Sequence, residues 1–369
     1  MTGTRVCIFA GGTGGHVFPA LAVADRLRED GWAVSWVGTR RGIEARVVPG
    51  ARLPLHFIST RRFRGARRAG ALAAMAVALV QATAILLRIR PALVLGMGGF
   101  VSAPGGVAAW LLRRPLLIHE QNAIPGLANR VLARIATGIM ESFADTFPRR
   151  GKGWLRTTGN PVRAAFSDLL PPAARHADRG AVLRVLVLGG SQGAEALNRS
   201  VPAAAARVKR PLEIRHQAGE GGQADATRER YRAAGIEATV TAFVEDVAEA
   251  CAWADVAVCR AGASTVAELS ATGVGSILVP YPWAADDHQT ANARFLERRG
   301  AACVVPEQGD LVARLASLIG KLAADPERRL AMAEAAWRSG RRDAAERVAA
   351  CCRAHECPPV FPEPLGEQG

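Results

Sequence analysis

Short apolar segments, each ending in a glycine-rich or polar turn, recur along this chain and constrain its fold more than any other feature. We predict strands at Val6–Ala10, Ala33–Gly38, Ala92–Leu95, Leu116–His119, Leu183–Leu188, Ala254–Cys259 and Ser276–Pro280. We predict the first helix over Pro19–Arg28, with the proline in its first turn. Strands that are apolar on both faces and alternate with helices are typical of a parallel sheet buried between helix layers. The sequence therefore predicts an α/β fold.

The proline-containing segment Thr158–Ala173 separates two such units, and a length of 369 residues is typical of two domains. We expect a Rossmann-like domain over residues 1–163 and a second over residues 164–340. If the two parallel sheets face each other, their carboxyl ends line one central cleft. Residues 356–369 contain four prolines and little apolar periodicity, which predicts a disordered tail.

The net charge of +14 is concentrated in the first half of the chain. Residues 1–165 hold 23 Lys and Arg against 7 Asp and Glu, whereas residues 166–369 hold 24 against 26. This asymmetry indicates an anionic partner for the first half. Nucleic acid and a membrane surface both fit the charge.

The apolar stretch Ala69–Leu87 is long enough to span a bilayer. Gln81 and Thr83 interrupt it, and it lies between strands of a predicted domain, so we favour a buried or half-buried helix. The arginines of residues 61–68 precede it. An apolar helix with basic flanks can also lie on an anionic bilayer.

The cysteine and histidine spacings predict no metal centre. The seven cysteines include no C-x-x-C pair, and the seven histidines include no two that lie three or four residues apart. The free thiols suit a reducing cytoplasm. The strand predicted directly after Met1–Arg5 leaves no room for a signal peptide.

The glycine turn Gly11–Gly15 follows the first strand, where backbone N–H groups at a helix N-terminus can bind a phosphate. Val17 stands where a dinucleotide fingerprint needs its third glycine. Arg40 and Arg41 after the second strand leave NADP, and with it a reductase, as an alternative. His16 follows the turn at the carboxyl end of a strand and is a candidate catalytic base rather than a structural histidine.

Two further turns of this type are Gly96–Phe100 and Gly189–Gly193, and in the second of them Ser191 can donate a hydroxyl hydrogen bond. A Walker A loop is absent, and so is a D-x-D metal clamp. The turns therefore predict diphosphates that are held by backbone amides and arginine.

Polar residues follow three other predicted strands. His119–Asn122 is a run of four polar side chains whose burial is costly unless they face a polar site. In Cys259–Glu268 a helix begins near Ser264 and offers N–H groups to a phosphate, and Glu268 can bridge two ribose hydroxyls. A hydrogen-bonded loop and a surface carboxylate are the structural alternatives. Asp286–Gln289 follows the last predicted strand.

These motifs together resemble one family, the MurG family of UDP-N-acetylglucosamine–N-acetylmuramyl-(pentapeptide) pyrophosphoryl-undecaprenol N-acetylglucosamine transferases. The similar motifs, in order from residue 6 to about residue 300, are GGTGGHVFPALAVA, GMGGFVSAPGG, HEQNAIPGLANR, GNPVR, GGSQGAEALN, HQAG, CRAGASTVAEL and DDHQTANA. The resemblance implies a GT-B fold, with two Rossmann-like parallel-sheet domains facing a central cleft. It also implies that the C-terminal helix, here residues 341–355, packs back on the first domain.

The resemblance implies an inverting transfer of N-acetylglucosamine (GlcNAc) from UDP-GlcNAc to the muramoyl 4-hydroxyl of undecaprenyl-diphosphate-MurNAc-pentapeptide (lipid I), giving lipid II for peptidoglycan synthesis. The second domain would bind UDP-GlcNAc, and the first would face lipid I and the membrane. No cofactor and no nucleic acid is implied. The implied partners are anionic inner-membrane lipids and other cell-wall synthesis proteins, at the cytoplasmic face of the bacterial inner membrane.

The UDP-GlcNAc-binding residues that the resemblance implies are Thr13, Gly14, Gly15, Asn122, Arg163, Ser191, Val244, Ala263, Ser264, Thr265, Val266, Ala267, Glu268 and Gln289. The catalytic candidates are His16, Glu120 and Asn198. We favour His16 as the base for the acceptor hydroxyl, with Glu120 as its rival. Helix N–H groups, Arg163 and Ser191 would stabilise the leaving UDP without a metal. Two positions depart from the family pattern: Phe100 stands where some members have Tyr, and His288 where some have Gln.

Overall fold

The structure is a computed structural model that describes residues 3–59, 68–148, 153–177, 179–190, 193–355 and 359–361. These residues fall into two compact units. One comprises Met1–Arg163 together with Arg342–Pro362, and the other comprises Ala164–Arg341. Each unit has its own parallel sheet and its own apolar core.

The described residues of the first unit form a sheet of seven strands: β1 (Arg5–Phe9), β2 (Ala33–Gly38), β3 (Leu55–Phe57), β4 (Leu93–Gly96), β5 (Leu116–Glu120), β6 (Gly138–Glu141) and β7 (Trp154–Thr157). All neighbours are parallel, in the order β3-β2-β1-β4-β5-β6-β7. The strand order reverses between β1 and β4. In doubly wound sheets, ligands bind beyond the carboxyl ends of the strands at such a switch point.

The described residues of the second unit form a sheet of six strands: β8 (Leu183–Leu188), β9 (Leu212–Gln217), β10 (Thr239–Thr241), β11 (Val256–Cys259), β12 (Gly275–Leu278) and β13 (Ala302–Val304). They are parallel in the order β10-β9-β8-β11-β12-β13, with the switch point between β8 and β11. The predicted α/β class with two Rossmann-like domains is confirmed. All seven predicted strands are present, with ends displaced by at most two residues.

The helices of both units are α1 (Gly14–Glu29), α2 (Glu44–Gly50), α3 (Arg68–Ile89), α4 (Ser102–Leu111), α5 (Leu127–Leu132), α6 (Ala164–Ser167), α7 (Pro172–His176), α8 (Glu195–Ala205), α9 (Gln223–Ala233), α10 (Val247–Trp253), α11 (Ala263–Thr272), α12 (His288–Arg298), α13 (Leu311–Ala324), α14 (Pro326–Ser339) and α15 (Ala344–Arg353). A 3-10 turn, Ala285–Asp287, leads into α12. The predicted linker Thr158–Ala173 thus contains α6 and the start of α7.

The start of the first helix was predicted wrongly. α1 begins at Gly14, so Pro19 lies in its second turn, where its ring is buried. The backbone N–H groups of His16 and Val17 both bond the Thr13 carbonyl, which closes the first turn inside the glycine-rich segment. A glycine run suggests a loop, but here its last two residues are already helical. His16 consequently lies on the first turn of α1.

The last helix, α15, belongs to the first unit. Val348, Ala349, Cys351 and Cys352 are buried in the same apolar cluster as Val17, Val23 and Leu27 of α1. Beyond this helix, the centre of the Phe361 ring lies 4.9 Å from the guanidinium of Arg347, a residue of α15. Of the predicted tail, residues 356–358 and 362–369 lie outside the described residues.

Helix α3 is buried on one side only. Ala78, Ala82 and Leu86, spaced four residues apart, join the core of the first unit, whereas Leu72 and Val80 are 72% and 69% exposed. Among the described residues, the segment Leu72–Ile89 is long and apolar enough to cross a membrane, judged by length and composition only, and 17% of it is buried. The arginine-rich segment in front of it, residues 60–67, lies outside the described residues.

Candidate functional site

Three turns of the first unit meet at the carboxyl edge of its sheet, because β1, β4 and β5 are parallel neighbours. They are Gly11–Gly15, Gly96–Gly99 and Glu120–Asn122. Gly98 and Gly99 have φ of +95° and +80°. A Cβ on Gly99 would lie 2.1 Å from the Gly11 carbonyl oxygen, and one on Gly98 would lie 2.5 Å from His16 Nδ1. Only glycine at these two positions lets the first two turns approach this closely.

His16 is joined to a chain of buried polar groups. Its Nδ1 lies 3.1 Å from Gln121 Oε1. The Gln121 Nε2 in turn lies 2.9 Å from the Met97 carbonyl oxygen and 3.2 Å from His119 Nδ1. His119 Nε2 donates to the Gly159 carbonyl at 3.0 Å. His119 is fully buried, and this burial lowers its pKa to about 4, so the ring is neutral at pH 7.

Glu120 is a fully engaged carboxylate. Its Oε1 accepts from the backbone N–H and the side-chain amide of Asn122, at 3.0 and 3.2 Å. Its Oε2 accepts from the Gly126 N–H at 3.0 Å and from Asn129 Nδ2 at 2.9 Å. It is 2% exposed. Each carboxylate oxygen thus already accepts two hydrogen bonds from its own loop and from α5, which fixes the side chain in place. The choice between His16 and Glu120 as the base stays a prediction.

Glu44 is a further buried carboxylate that the sequence analysis missed. It is 0% exposed, and its oxygens accept from the Gly12 N–H at 3.0 Å, the Thr39 N–H at 2.8 Å and the Thr39 hydroxyl at 2.7 Å. Glu44 therefore fixes the first glycine turn through its hydrogen bond to the Gly12 N–H. Its position after a predicted strand end was the available signal, but the sequence alone did not reveal its partners.

Arg163 lies beside the first turn of α1. Its guanidinium is 5.4 Å from the centre of the Phe18 ring, and a Cβ on Gly14 would lie 2.9 Å from that same ring. Thr13 is the N-cap residue of α1, is exposed, and makes no capping hydrogen bond with its side chain. Thr13, Gly14, Gly15 and Arg163 are thus brought together around one helix N-terminus, as an anion site requires.

The N-terminus of α11 is the corresponding feature of the second unit. Its N-cap residue is Gly262, which has no side chain to cap it, and the first helical hydrogen bond runs from the Val266 N–H to the Gly262 carbonyl. The N–H groups of Ala263–Thr265 precede this bond, and such groups at a helix start bind anions. The Ser264 hydroxyl is buried and bonds no described group.

The remaining predicted residues of α11 differ in burial: Val266 is buried, and Ala267 and Glu268 are half-buried. The Val266 side chain is 1% exposed and packs inward, so only its backbone is available to a ligand. Ala267 and Glu268 are half-buried in the second turn. Glu268 thus lies one turn after the N-terminus of α11, and its role in binding ribose stays a prediction.

Two other predicted donor-site residues lie in segments that follow parallel strands of this sheet. Val244 is half-buried in the loop between β10 and α10. Gln289 is in the first turn of α12, where its Oε1 accepts from the Tyr281 N–H at 2.9 Å. Asn292 Nδ2 donates to the Ala261 carbonyl at 3.1 Å and ties α12 to the turn before α11. Ser191 lies outside the described residues.

Asn198 is placed inside the second unit. It is 0% exposed, and its Nδ2 donates to the Ala218 carbonyl at 2.9 Å and to Gln223 Oε1 at 3.1 Å. Its Oδ1 lies 3.0 Å from Nε2 of His216, whose pKa burial lowers to about 3. A Cβ on Gly193 would lie 2.5 Å from Gln223 Oε1, so this network reaches the third glycine turn. A catalytic role for Asn198 stays a prediction, and the geometry favours positioning of that turn.

Three further residues lie close to the carboxyl ends of the strands: Phe100, His288 and Arg260. Arg260, which the sequence analysis did not single out, donates to the Val279 carbonyl at 3.1 Å and pairs with Glu307 at 2.6 Å. Phe100 is 47% exposed after the second glycine turn. His288 is half-buried, with its Nδ1 2.6 Å from the Ala285 carbonyl oxygen. Among the described residues, no group of three His, Cys, Asp or Glu could hold a metal ion.

Comparison with known proteins matches both units to one family. Residues 6–141 match the glycosyltransferase family 28 N-terminal domain, and residues 184–348 match the glycosyltransferase family 28 C-terminal domain. The chain is 54% identical over 353 residues to the UDP-N-acetylglucosamine--N-acetylmuramyl-(pentapeptide) pyrophosphoryl-undecaprenol N-acetylglucosamine transferase of Alkalilimnicola ehrlichii, covering 94% of this chain and 98% of that one. It is 52% identical over 356 residues to the transferase of the same name from Nitrosococcus oceani, with 94% and 98% covered. The chain belongs to the MurG family.

Solved structures agree with this family assignment. The crystal structure of Acinetobacter baumannii MurG is 36% identical, with a TM-score of 0.82, and the match covers 95% of this chain and 99% of that one. The calicheamicin glycosyltransferase CalG4, at 18% identity and a TM-score of 0.65, shares the fold, with 95% and 99% covered. The predicted GT-B class and the family resemblance are confirmed.

The alternatives that charge and Arg40 left open are not supported. Membership of a glycosyltransferase family does not support an NADP-dependent oxidoreductase or a non-enzymatic binder of membranes or nucleic acid. Arg40 instead lies with its guanidinium 4.9 Å from the centre of the Phe57 ring, at the edge of the sheet.

Proposed function

We propose that this chain transfers GlcNAc from UDP-GlcNAc to the muramoyl 4-hydroxyl of lipid I and so forms lipid II. The observation that carries the proposal is the 54% identity, over 94% of the chain, to a transferase named for this reaction. The glycine turns, the uncapped start of α11 and the positions of His16 and Glu268 supply the chemistry that such a transfer needs.

The donor diphosphate binds at the start of α11 in this proposal. The N–H groups of Ala263–Thr265 and the buried Ser264 hydroxyl supply donors for phosphate oxygens. Glu268 accepts from the ribose hydroxyls, and the backbone of Val244 binds uracil. Gln289 already uses its oxygen on the Tyr281 N–H, so its NH₂ group is oriented to donate to a sugar hydroxyl.

Catalysis requires a base for the acceptor hydroxyl and stabilisation of the negative charge that develops on the leaving UDP. The muramoyl 4-hydroxyl attacks the anomeric carbon from the face opposite UDP, the bond from that carbon to the diphosphate oxygen breaks, and the configuration inverts. His16 takes the hydroxyl proton. The negative charge on the leaving UDP is stabilised by helix N–H groups together with Arg163 and Ser191, without a metal ion. Thr13, Gly14, Gly15 and Asn122 supply further substrate contacts.

Membrane association is the second part of the proposal. Helices α3 and α4 pack together, and both leave large apolar side chains in solvent: Leu72, Val77, Val80, Leu87, Trp110 and Leu111. Arg88 and Arg90 lie at the end of α3, and Arg113 and Arg114 follow α4. Apolar area flanked by cations is typical of surfaces that lie on anionic lipid. The first unit thereby meets lipid I at the cytoplasmic face of the inner membrane.

The reaction is tested with the full chain, labelled UDP-GlcNAc and a lipid I analogue. We expect labelled disaccharide-lipid product from the wild type. His16→Ala should lower kcat by about 10²–10⁴-fold, the usual contribution of a general base, while calorimetry shows unchanged UDP-GlcNAc affinity. Absence of transfer by a folded wild-type chain would refute the reaction, and wild-type turnover by His16→Ala would remove His16 from it.

Membrane association is tested by flotation with vesicles of phosphatidylglycerol and phosphatidylcholine. Wild type should float with the anionic vesicles and lose binding as salt is raised. Val80→Asp should weaken flotation. Leu170→Asp, at a position 64% exposed in the second unit, is the matched control and should leave flotation unchanged. Binding that ignores both salt and anionic lipid content contradicts this part of the proposal.

A further inference from the structure

The hydrogen-bond chain that ends at His16 determines where its protons lie. The Gly159 carbonyl can only accept, so His119 carries its proton on Nε2. A neutral imidazole has one N–H, so His119 Nδ1 is an acceptor. The Gln121 group 3.2 Å from that nitrogen must therefore be the NH₂.

The orientation of the Gln121 amide is fixed twice over. The same Nε2 lies 2.9 Å from the Met97 carbonyl oxygen, which is a second pure acceptor. A flipped amide would bring its oxygen against both acceptors, in a site where Gln121 is 1% exposed. The group that faces His16 Nδ1 at 3.1 Å is consequently the amide oxygen, which needs a donor.

We propose that Gln121 is a positioning residue that fixes His16 in the tautomer with its proton on Nδ1 and its free lone pair on Nε2. The inference deepens the proposed function and rests on His16 being the base there. It identifies Nε2 as the atom that receives the acceptor hydroxyl proton. Nδ1–H keeps its bond to Gln121 while Nε2 is protonated, and Nε2 then releases the proton to water.

This arrangement differs from a carboxylate-bound histidine in its charge. A buried carboxylate stabilises the imidazolium, as in serine hydrolases, whereas an amide oxygen orients the ring through a neutral hydrogen bond. That bond becomes charge-assisted, and stronger, when Nε2 takes up a proton. His119 and Met97 O supply the two acceptors that keep the amide from turning.

The tautomer is measured by ¹⁵N NMR of histidine-labelled full chain, with the His16 signals assigned by their loss in His16→Ala. We expect wild-type His16 to carry its proton on Nδ1 near pH 8. A proton on Nε2 would overturn the inference. This readout requires no variant at Gln121 and stands even if such a variant does not fold.

The kinetic test uses Gln121→Met, which is close in size and removes all three hydrogen bonds. We expect kcat to fall by about 10- to 100-fold, short of full loss of a base, with KM for UDP-GlcNAc within about twofold. Gln121→Glu keeps an oxygen facing Nδ1 and should retain more kcat than Gln121→Met. Unchanged kcat in folded Gln121→Met would overturn the proposal.

Gln81→Met is the matched control. Gln81 lies in the same unit and accepts from the Ser59 N–H at 2.7 Å, so the same substitution removes a hydrogen bond away from His16. It should keep wild-type kcat on a soluble acceptor analogue. Wild-type turnover by His16→Ala would refute the proposed base, whereas an inactive His16→Ala with the wild-type proton on Nε2 would refute only the role of Gln121.

Discussion

The buried carboxylate of Glu44 accepts a hydrogen bond from the Gly12 N–H at 3.0 Å and so joins the loop after β2 to the glycine turn after β1. Three other glycines surround the same side chain. A Cβ on Gly11, Gly38 or Gly42 would lie within 2.5 Å of a Glu44 atom. The first turn therefore owes its shape to a side chain 32 residues further along the chain as well as to its glycines.

Glu44→Ala should destabilise the protein, because it leaves the N–H groups of Gly12 and Thr39 without their acceptor. At about 1–3 kcal/mol for each of these two unsatisfied donors, we expect the free energy of unfolding to fall by about 2–6 kcal/mol. Urea unfolding measures this change. Glu29→Ala removes an exposed carboxylate and should change stability by less than about 0.5 kcal/mol. Equal midpoints for wild type and Glu44→Ala would contradict the bracing role.

Gly98→Ala should damage both stability and turnover. Gly98 has φ of +95°, and the added Cβ would lie 2.5 Å from His16 Nδ1. We expect a loss of about 1–3 kcal/mol in the free energy of unfolding and a lower kcat as the ring is displaced. Gly320→Ala is the opposite case, because no atom lies within 4 Å of its Cβ position in α13. That variant should gain about 0.5–1 kcal/mol. If Gly98→Ala keeps the wild-type kcat, turnover does not depend on the space that Gly98 leaves for the His16 ring.

Glu268→Ala should weaken UDP-GlcNAc binding. Removal of a charged hydrogen-bond partner costs about 1.5–3 kcal/mol, which corresponds to a Kd raised by about ten- to hundredfold. Isothermal titration calorimetry measures this value, and UDP should lose affinity to a similar extent because the ribose is common to both ligands. Glu229→Ala, on the exposed side of α9, is the control and should bind as wild type does. Unchanged affinity in Glu268→Ala would refute the ribose assignment.

Acid should destabilise the protein through its buried histidines. Burial lowers the pKa of His119 from 6.5 to about 4 and that of His216 from 6.5 to about 3. Between pH 6.5 and 4 the unfolded chain binds protons that the folded protein does not, so the free energy of unfolding falls as pH falls, by up to about 3 kcal/mol for each ring. Urea unfolding at pH 7.5, 6 and 5 measures this slope. His216→Asn should make the free energy of unfolding depend less steeply on pH. A free energy of unfolding that does not change with pH would contradict the lowered pKa values of the two histidines.

Strands and turns were the part of this molecule that its sequence revealed. Strands of parallel sheets are largely buried on both faces, so Leu183–Leu188 is apolar apart from Arg184, and its bounds were predicted correctly. Helix starts were harder. The glycines before Pro19 concealed the first turn of α1, because glycine signals a loop and a helix N-terminus equally well.

The sequence predicted which turns and helix starts carry the site residues, but not the hydrogen bonds that join these residues. His16 lies in the first turn of a helix, Glu120 ends a strand and Glu268 lies in the second turn of a helix, so their placement follows from topology. The contact of His16 with Gln121 joins residues 105 positions apart, and that of Glu44 with Gly12 joins residues 32 apart. Such pairs depend on side-chain packing between neighbouring loops, which local pattern does not encode. For the same reason, the burial of Asn198 was not foreseen.

The first unit is completed only at the end of synthesis, because its last helix, α15, follows the second unit in the sequence. Its Val348 and Cys352 fill the core beside α1, yet the chain must first complete the whole second unit, Ala164–Arg341. At roughly 5–20 residues per second, a ribosome takes on the order of ten to forty seconds over that interval. During this time the apolar side of α1 that later packs against α15 stays exposed in the nascent chain. A chaperone can bind this exposed apolar surface until α15 has been synthesised.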